Sequence, residues 1–203
     1  MKHFYILIFL IFTFSSCVNS QKEDVSPVLI IDEESNKEIE NKLSNSNNEY
    51  NCIIEYNRYE NDDLVENNKV TNALSFTRIE KETATITGFS GIDEGFGFIL
   101  LVNKDTCMIK CEFESTNEVF KLEKNHVPTF GLYVPCKYQK TTLIKKPKFE
   151  SGEIIKGKID LKSENFYEKI NNEFKSVRIE MKAYFISEPM PLENGKYKTL
   201  IKK

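Results

Sequence analysis

Tryptophan is absent from this chain, and histidine occurs only at His3 and His126. The first absence removes the best stacking residue for a glycan-binding surface and leaves tyrosine to serve in its place. The second confines any Ser-His-Asp or Cys-His arrangement to His126, in a loop ahead of Pro128. No Gly-x-Ser-x-Gly motif accompanies it. Arginine is confined to Arg58, Arg78 and Arg178, and the formal net charge is −3. A nucleic-acid partner calls for clustered Lys and Arg that displace counterions, so nucleic acid is excluded. Two-residue cysteine spacings are missing, which argues against a zinc site. No stretch reaches the ~20 apolar residues that cross a bilayer as a helix. The chain reads as non-enzymatic and without a cofactor, a carboxylate-based hydrolase being the least favoured alternative.

What is present begins at the first residues. Lys2 precedes an uncharged apolar run from Phe4 to Phe14, too short to span and of signal-peptide length. Small residues and a cysteine follow, Phe14-Ser15-Ser16-Cys17. This arrangement resembles a bacterial lipobox. The resemblance implies that residues 1–16 are a lipoprotein signal peptide, cut before Cys17, whose thiol and new amino group carry acyl chains of the palmitate kind. Each buried CH₂ contributes about 0.8 kcal/mol, so two or three chains hold a protein to a membrane. Gln21-Lys22-Glu23-Asp24 then resembles the export signal of Bacteroidota lipoproteins, a lysine followed by two acids soon after the lipidated cysteine. On that resemblance, Lys22, Glu23 and Asp24 direct the protein to the outer membrane, facing the cell surface. The remainder resembles small lipoproteins of the Bacteroidota without pointing to a family.

Residues 17–49 read as a lipidated, mostly disordered tether. The stretch 32–49 holds only Ile39 and Leu43 as apolar side chains, too little surface to offset the entropy of ordering; four apart, the two can share one face of a transient helix. Val28-Leu29-Ile30-Ile31, after Pro27, suits an edge strand packed on the domain; the alternative is a docking segment for a partner.

Residues 50–203 form the globular part. Alternating runs predict strands at Cys52–Tyr56, Leu74–Ile79, Thr83–Phe89, Val119–Leu122, Thr141–Ile144, Glu153–Leu161 and Val177–Ile186. Phe96–Asn103 is a nearly continuous apolar run that predicts a central buried strand. Cys107, Ile109, Cys111 and Phe113 share one face against Met108, Lys110, Glu112 and Glu114. Phe166, Ile170 and Phe174 fall at helical spacing behind an Asn165/Glu168 capping pattern, which predicts one short helix near residues 165–175. The fold class expected is mainly β, an antiparallel two-sheet sandwich, with a small barrel as the alternative.

Gly88, Gly91, Gly95 and Gly97 do not match a phosphate-binding motif, and Asp93 and Glu94 repel phosphate. A hairpin or bulge is expected there, and Gly157, lying mid-strand without a side chain, permits a bulge or a close contact. Four cysteines are disulfide candidates: Cys52, Cys107, Cys111 and Cys136. On one strand Cys107 and Cys111 lie about 13 Å apart, beyond the ~7 Å limit for a bridge. Two bridges therefore each need Cys52 or Cys136; the alternative is four small buried apolar side chains. A protein or glycan ligand is the expected partner besides the membrane, with Tyr133, Tyr138 and Tyr167 as candidate platforms. An exposed aromatic patch favours a surface binding module; a long uncovered edge strand favours a periplasm-facing assembly or structural accessory.

Overall fold

The computed structural model describes residues 27–44, 49–91, 95–104, 106–121, 129–190, 192–193 and 196–197. Several strands are long because alternating apolar residues repeat through them. In order the strands are β1 (Val28–Ile31), β2 (Cys52–Glu60), β3 (Asp63–Glu80), β4 (Thr83–Gly91), β5 (Gly95–Val102), β6 (Cys107–Phe120), β7 (Thr129–Leu143), β8 (Ile155–Ser163), β9 (Phe166–Ile170) and β10 (Glu173–Pro189). A two-residue turn joins β2 to β3, β3 to β4 and β9 to β10. The short strands β11 (Leu192–Glu193) and β12 (Lys196–Tyr197) pair with each other, and one helix, α1, spans Ser35–Ser44.

Chain neighbours pair antiparallel from β2 through β8; β10 then pairs with β8 on one side and β2 on the other. Glu164 and Asn165 separate β8 from β9, which continues along β10 and reaches β6 with its free side. The strands form one 10-stranded mixed sheet in a ring-like arrangement, where two facing sheets were expected. Its parallel contacts are β1 on β7 and the short pairing of Phe76 and Thr77 with Glu188 and Pro189.

Inward residues of every strand of the ring meet in one cluster that includes Ile54, Phe98, Leu100, Ile109, Phe166, Met181 and Phe185. Each large side chain so buried contributes about 1.5–3 kcal/mol. The alternation expected at Cys107–Phe113 holds: Cys107, Ile109, Cys111 and Phe113 are buried, while Met108 and Lys110 are exposed. Phe96–Asn103 lies largely in the buried strand β5. Gly88 and Gly157 are where close approach is required. A Cβ at Gly88 would sit 2.4 Å from the Phe98 ring, and one at Gly157 would sit 2.7 Å from both Leu143 Cδ2 and the Thr142 carbonyl oxygen.

Two expectations are corrected. Residues 165–175 are not helical. Phe166 to Phe174 form a hairpin, β9 and β10, turned by Asn171 (φ 51°) and Asn172 (φ 67°). Two adjacent left-handed residues make the tight turn that matches strand twist, and Asn tolerates it better than most side chains. Asn61 and Asp62 turn β2 into β3 in the same way.

The second correction concerns the tether. Val28–Ile31 is the edge strand expected, but part of the stretch expected to be disordered is the ordered helix α1. Asp32 caps it, accepting from Glu34 N at 3.0 Å and from the Ser35 hydroxyl at 2.5 Å. The helix lies on β8, β10 and β2 with Ile39 fully buried, and its ion pairs join Glu38 to Lys158, Glu40 to Lys156 and Lys42 to Glu55. Ile53 and Tyr184, paired across β2 and β10, are outward-facing apolar residues left 5% and 7% exposed. An outward apolar pair under the helix is what repays its ordering.

The burial pattern of β6 yields a direct check. Ile109→Asp places an unpaired charge at a site 2% exposed and should cost about 3–5 kcal/mol, most of a domain's ordinary stability. Lys110→Asp should move the urea midpoint little, by about 0.5 kcal/mol or less. Equal sensitivity of the two positions would contradict the assigned face.

Candidate functional site

At the end of the ring where the β2–β3 and β9–β10 hairpins turn, the inward positions change from apolar to charged. Along β2 the inward series runs Cys52, Ile54, Tyr56 and then Arg58. Arg58 Nη2 donates to Glu168 Oε2 at 2.5 Å, and Nε and Nη2 donate to Glu60 Oε1 at 3.2 and 3.1 Å. Lys175 Nζ holds the other oxygen of Glu60 at 2.7 Å. Glu168 is 3% exposed, and its Oε1 accepts from the Ser115 hydroxyl at 2.6 Å and from Asn117 Nδ2 at 2.9 Å. The guanidinium carbon lies 5.7 Å from the Phe113 ring centroid, and Phe113 packs on Phe166 at 4.6 Å. Burial alone would push the Glu168 carboxyl up. The hydrogen bonds from Ser115, Arg58 and Asn117 outweigh it and hold the carboxyl below the ordinary glutamate range.

Above this network opens a cleft of about 250 Å³, lined by Tyr56, Glu66, Gly95, Phe96 and Glu114 together with Arg58 and Glu168. Tyr56 and Phe96 meet edge to face at 4.3 Å and form its aromatic wall. The cleft exists because β3 outruns β4. The two strands pair only from Leu74 opposite Phe89 onward. Asp63 to Ala73 therefore pair with β2 on one side, and among the described residues no strand covers their other edge. A hydroxyl contact, Thr71 to Ser90 at 2.6 Å, spans the gap where it begins. Two register slips against Arg58 and a left-handed Asn68 (φ 48°) bend this projecting part of β3.

None of the described candidate cysteines and tyrosines lines this cleft. Cys17, Lys22, Glu23, Asp24, Asp93, Glu94 and His126 fall outside the described residues. Cys52, Cys107, Cys111 and Cys136 are thiols; Cys107 and Cys111 lie along one face of β6 without being joined. Burial raises all four, Cys136 to about 12, and its Sγ donates to the Ile109 carbonyl at 3.4 Å. Tyr133 and Tyr138 are 55% and 44% exposed but stand opposite Glu112 and near Lys162 respectively, at separate places along β7. Tyr167 is half-buried on β9. The three do not form one platform. Glu112 and Asp160, carboxyls that burial pushes up, belong to β6 and β8 and are likewise not brought together.

The expectations from sequence omitted Arg58, Glu66 and the role of Glu168. One signal was available: Arg58 continues the inward period of Cys52, Ile54 and Tyr56, so a charge had to enter the ring and find a partner. Glu168 was masked by the capping pattern it completes with Asn165. Comparison with family models, with curated proteins and with solved structures finds no match. The functional reading rests on the geometry.

Glu168→Gln removes one of the two carboxylates paired with a largely buried guanidinium, whose side chain is 16% exposed, and leaves Glu60 as its partner. It should cost about 1.5–3 kcal/mol at pH 7. The sign with pH follows from the lowered carboxyl: its stabilisation is complete above the unfolded glutamate value of about 4.3 and is lost as pH falls through the lower folded value. Urea titrations from pH 7 to 3 should show the natural chain losing this contribution and the variant having none to lose. Coincident profiles would contradict the assignment.

Proposed function

We propose that the protein is a lipid-anchored, non-enzymatic binding module of the outer membrane, facing the cell surface. In this reading its ring is a small closed barrel, and the ligand is a protein segment taken at the mouth cleft. The lipobox-like Phe14-Ser15-Ser16-Cys17 and the export-signal-like Lys22-Glu23-Asp24 support the address. The carrying observation for the ligand is the uncovered edge of β3 beside the cleft. A sheet edge offers N–H and C=O groups in the spacing of another strand, which a protein segment matches. The interior is taken up by Phe98, Phe166, Phe185 and their neighbours, which favours recognition at the mouth and outside. Dispersed tyrosines favour a protein over a glycan. Glu168 accepts from three donors and is held ionised, which suits a structural partner of Arg58 better than a general acid.

The docked β1 brings the domain closer to the membrane than a tether ending near residue 49. Between Cys17 and Val28 the chain reaches at most about 39 Å, at ~3.5 Å per residue. By the criterion drawn from the sequence, the same uncovered edge and the lack of a single tyrosine platform favour a second reading, a periplasm-facing assembly or structural accessory that holds a membrane partner; the export-signal-like Lys22-Glu23-Asp24 is what puts the surface reading first.

Three measurements separate these. Cys17→Ala should abolish acyl labelling, and protease added to intact cells should remove the domain. Replacing Lys22, Glu23 and Asp24 with alanine should protect it while acylation persists. Full protection of the natural protein in intact cells would move it to the periplasm. A photo-crosslinking residue at Val65, on the β3 edge, should give a discrete adduct with a partner in cells, and one at exposed Met108 on β6 should not. No adduct at Val65, or the same adduct at both positions, would reject the mouth as the binding surface.

A further inference from the structure

We infer that the mouth takes a partner strand bearing a lysine or arginine: its backbone lies along the open edge of β3 and its basic side chain enters the cleft against Glu66. The inference rests on the mouth being the binding surface and adds the chemistry of the occupant.

The edge carries the first part of the argument. Natural sheets usually protect a free edge with charge, proline or shortness. The uncovered segment carries Lys69 and the bend at Asn68, yet beside them it presents Leu64, Val65 and Val70 at 46%, 49% and 63% exposure and a backbone edge that no described strand pairs. Those apolar side chains gain from a neighbour, and a strand added about 4.8 Å away would supply both hydrogen bonds and cover. It would lie over the opening between β3 and the Gly95 end of β5. Side chains alternate along a strand, so every second one would face the cleft.

The charges carry the second part. Arg58 is matched by Glu168 and Glu60, and the other oxygen of Glu60 is matched by Lys175. Glu66 differs. It meets the Tyr56 hydroxyl, whose pKa is raised first by burial and then by the Glu66 charge. Among the described residues no ion pair joins Glu66 to a cation. An incoming ammonium or guanidinium would find this carboxylate and the faces of Tyr56 and Phe96, a combination that favours cations. Arg58 stands opposite Glu66 and lines the same cleft, but its guanidinium is taken up by Glu168 and Glu60, so three carboxylates, Glu66, Glu114 and Glu168, outnumber it and disfavour an acidic side chain. The volume, about 250 Å³, falls below the roughly 300–1,000 Å³ of small-molecule pockets and suits one side chain.

The test uses the full chain and two dye-labelled nonapeptides of alternating threonine and valine, one with lysine at the centre and one with glutamate, measured by fluorescence anisotropy. The lysine peptide should bind at least about tenfold tighter, a difference of about 1.4 kcal/mol. Glu66→Gln should bring the two within about twofold. Val65→Lys, at an exposed position, should weaken both while leaving the melting midpoint in place. Equal affinity for the two peptides, or a preference that survives Glu66→Gln, would overturn the basic side chain while the Val65 adduct in cells keeps the mouth as the binding surface. Binding of neither peptide would overturn the added strand. Concentration-dependent dimerisation abolished by Val65→Lys would make the occupant a second copy of this chain and overturn the inference equally.

Discussion

Everything in this fold depends on the pairing of its last long strand with its first. β10 lies against β2 from Val177 opposite Glu60 to Phe185 opposite Cys52, and the order of strands between them is simply the order of the chain. That closure satisfies the backbone of both strands, turns one face of every strand inward and commits alternate residues to a shared core. It also determines where pairing is left incomplete. β1 forms one edge on β7, and the projecting half of β3 forms another, because β4 is too short to accompany it.

The charged end of the ring follows from the same geometry. An inward position on β2 beyond Tyr56 remains inward, so Arg58 enters the ring whatever its solvation cost. A buried ion pair is weak evidence of stability, since desolvation consumes much of its attraction. Its consequence here is positional. Through Glu168, Arg58 ties β2 to β9, and through Ser115 and Asn117 the same carboxylate ties β9 to β6. This end of the ring is thereby tied together by polar contacts beneath an aromatic wall.

Much of the strand content was legible because period-two alternation survives in single strands: Cys107 to Phe113, Val177 to Phe185 and the close contact at Gly157 all follow from local pattern. The hairpin at Phe166–Phe174 was not, since three apolar residues at spacing four look helical, and only the adjacent Asn171 and Asn172 signal a turn. Helix α1 was legible only as a transient helix, from the spacing of Ile39 and Leu43, and its stable order was hidden for a different reason. Its own composition is polar, and the apolar surface that orders it, Ile53 and Tyr184, belongs to distant strands. The mouth was least legible of all. Arg58 and Glu168 are far apart in the chain, and the open edge of β3 comes from a length mismatch between two strands, which no local pattern records.

Among the described residues, ring closure leaves one long edge of β3 uncovered. Amide hydrogen exchange of the full chain without partner tests it most directly. Across Asp63–Asn72, amides facing β2 should exchange slowly, while those facing the open edge should exchange near the rate of an unstructured chain. Val177–Phe185, paired on both sides over much of its length, should be protected throughout. Uniform protection across Asp63–Asn72, matching Val177–Phe185, would mean that the edge is already covered and would contradict the account.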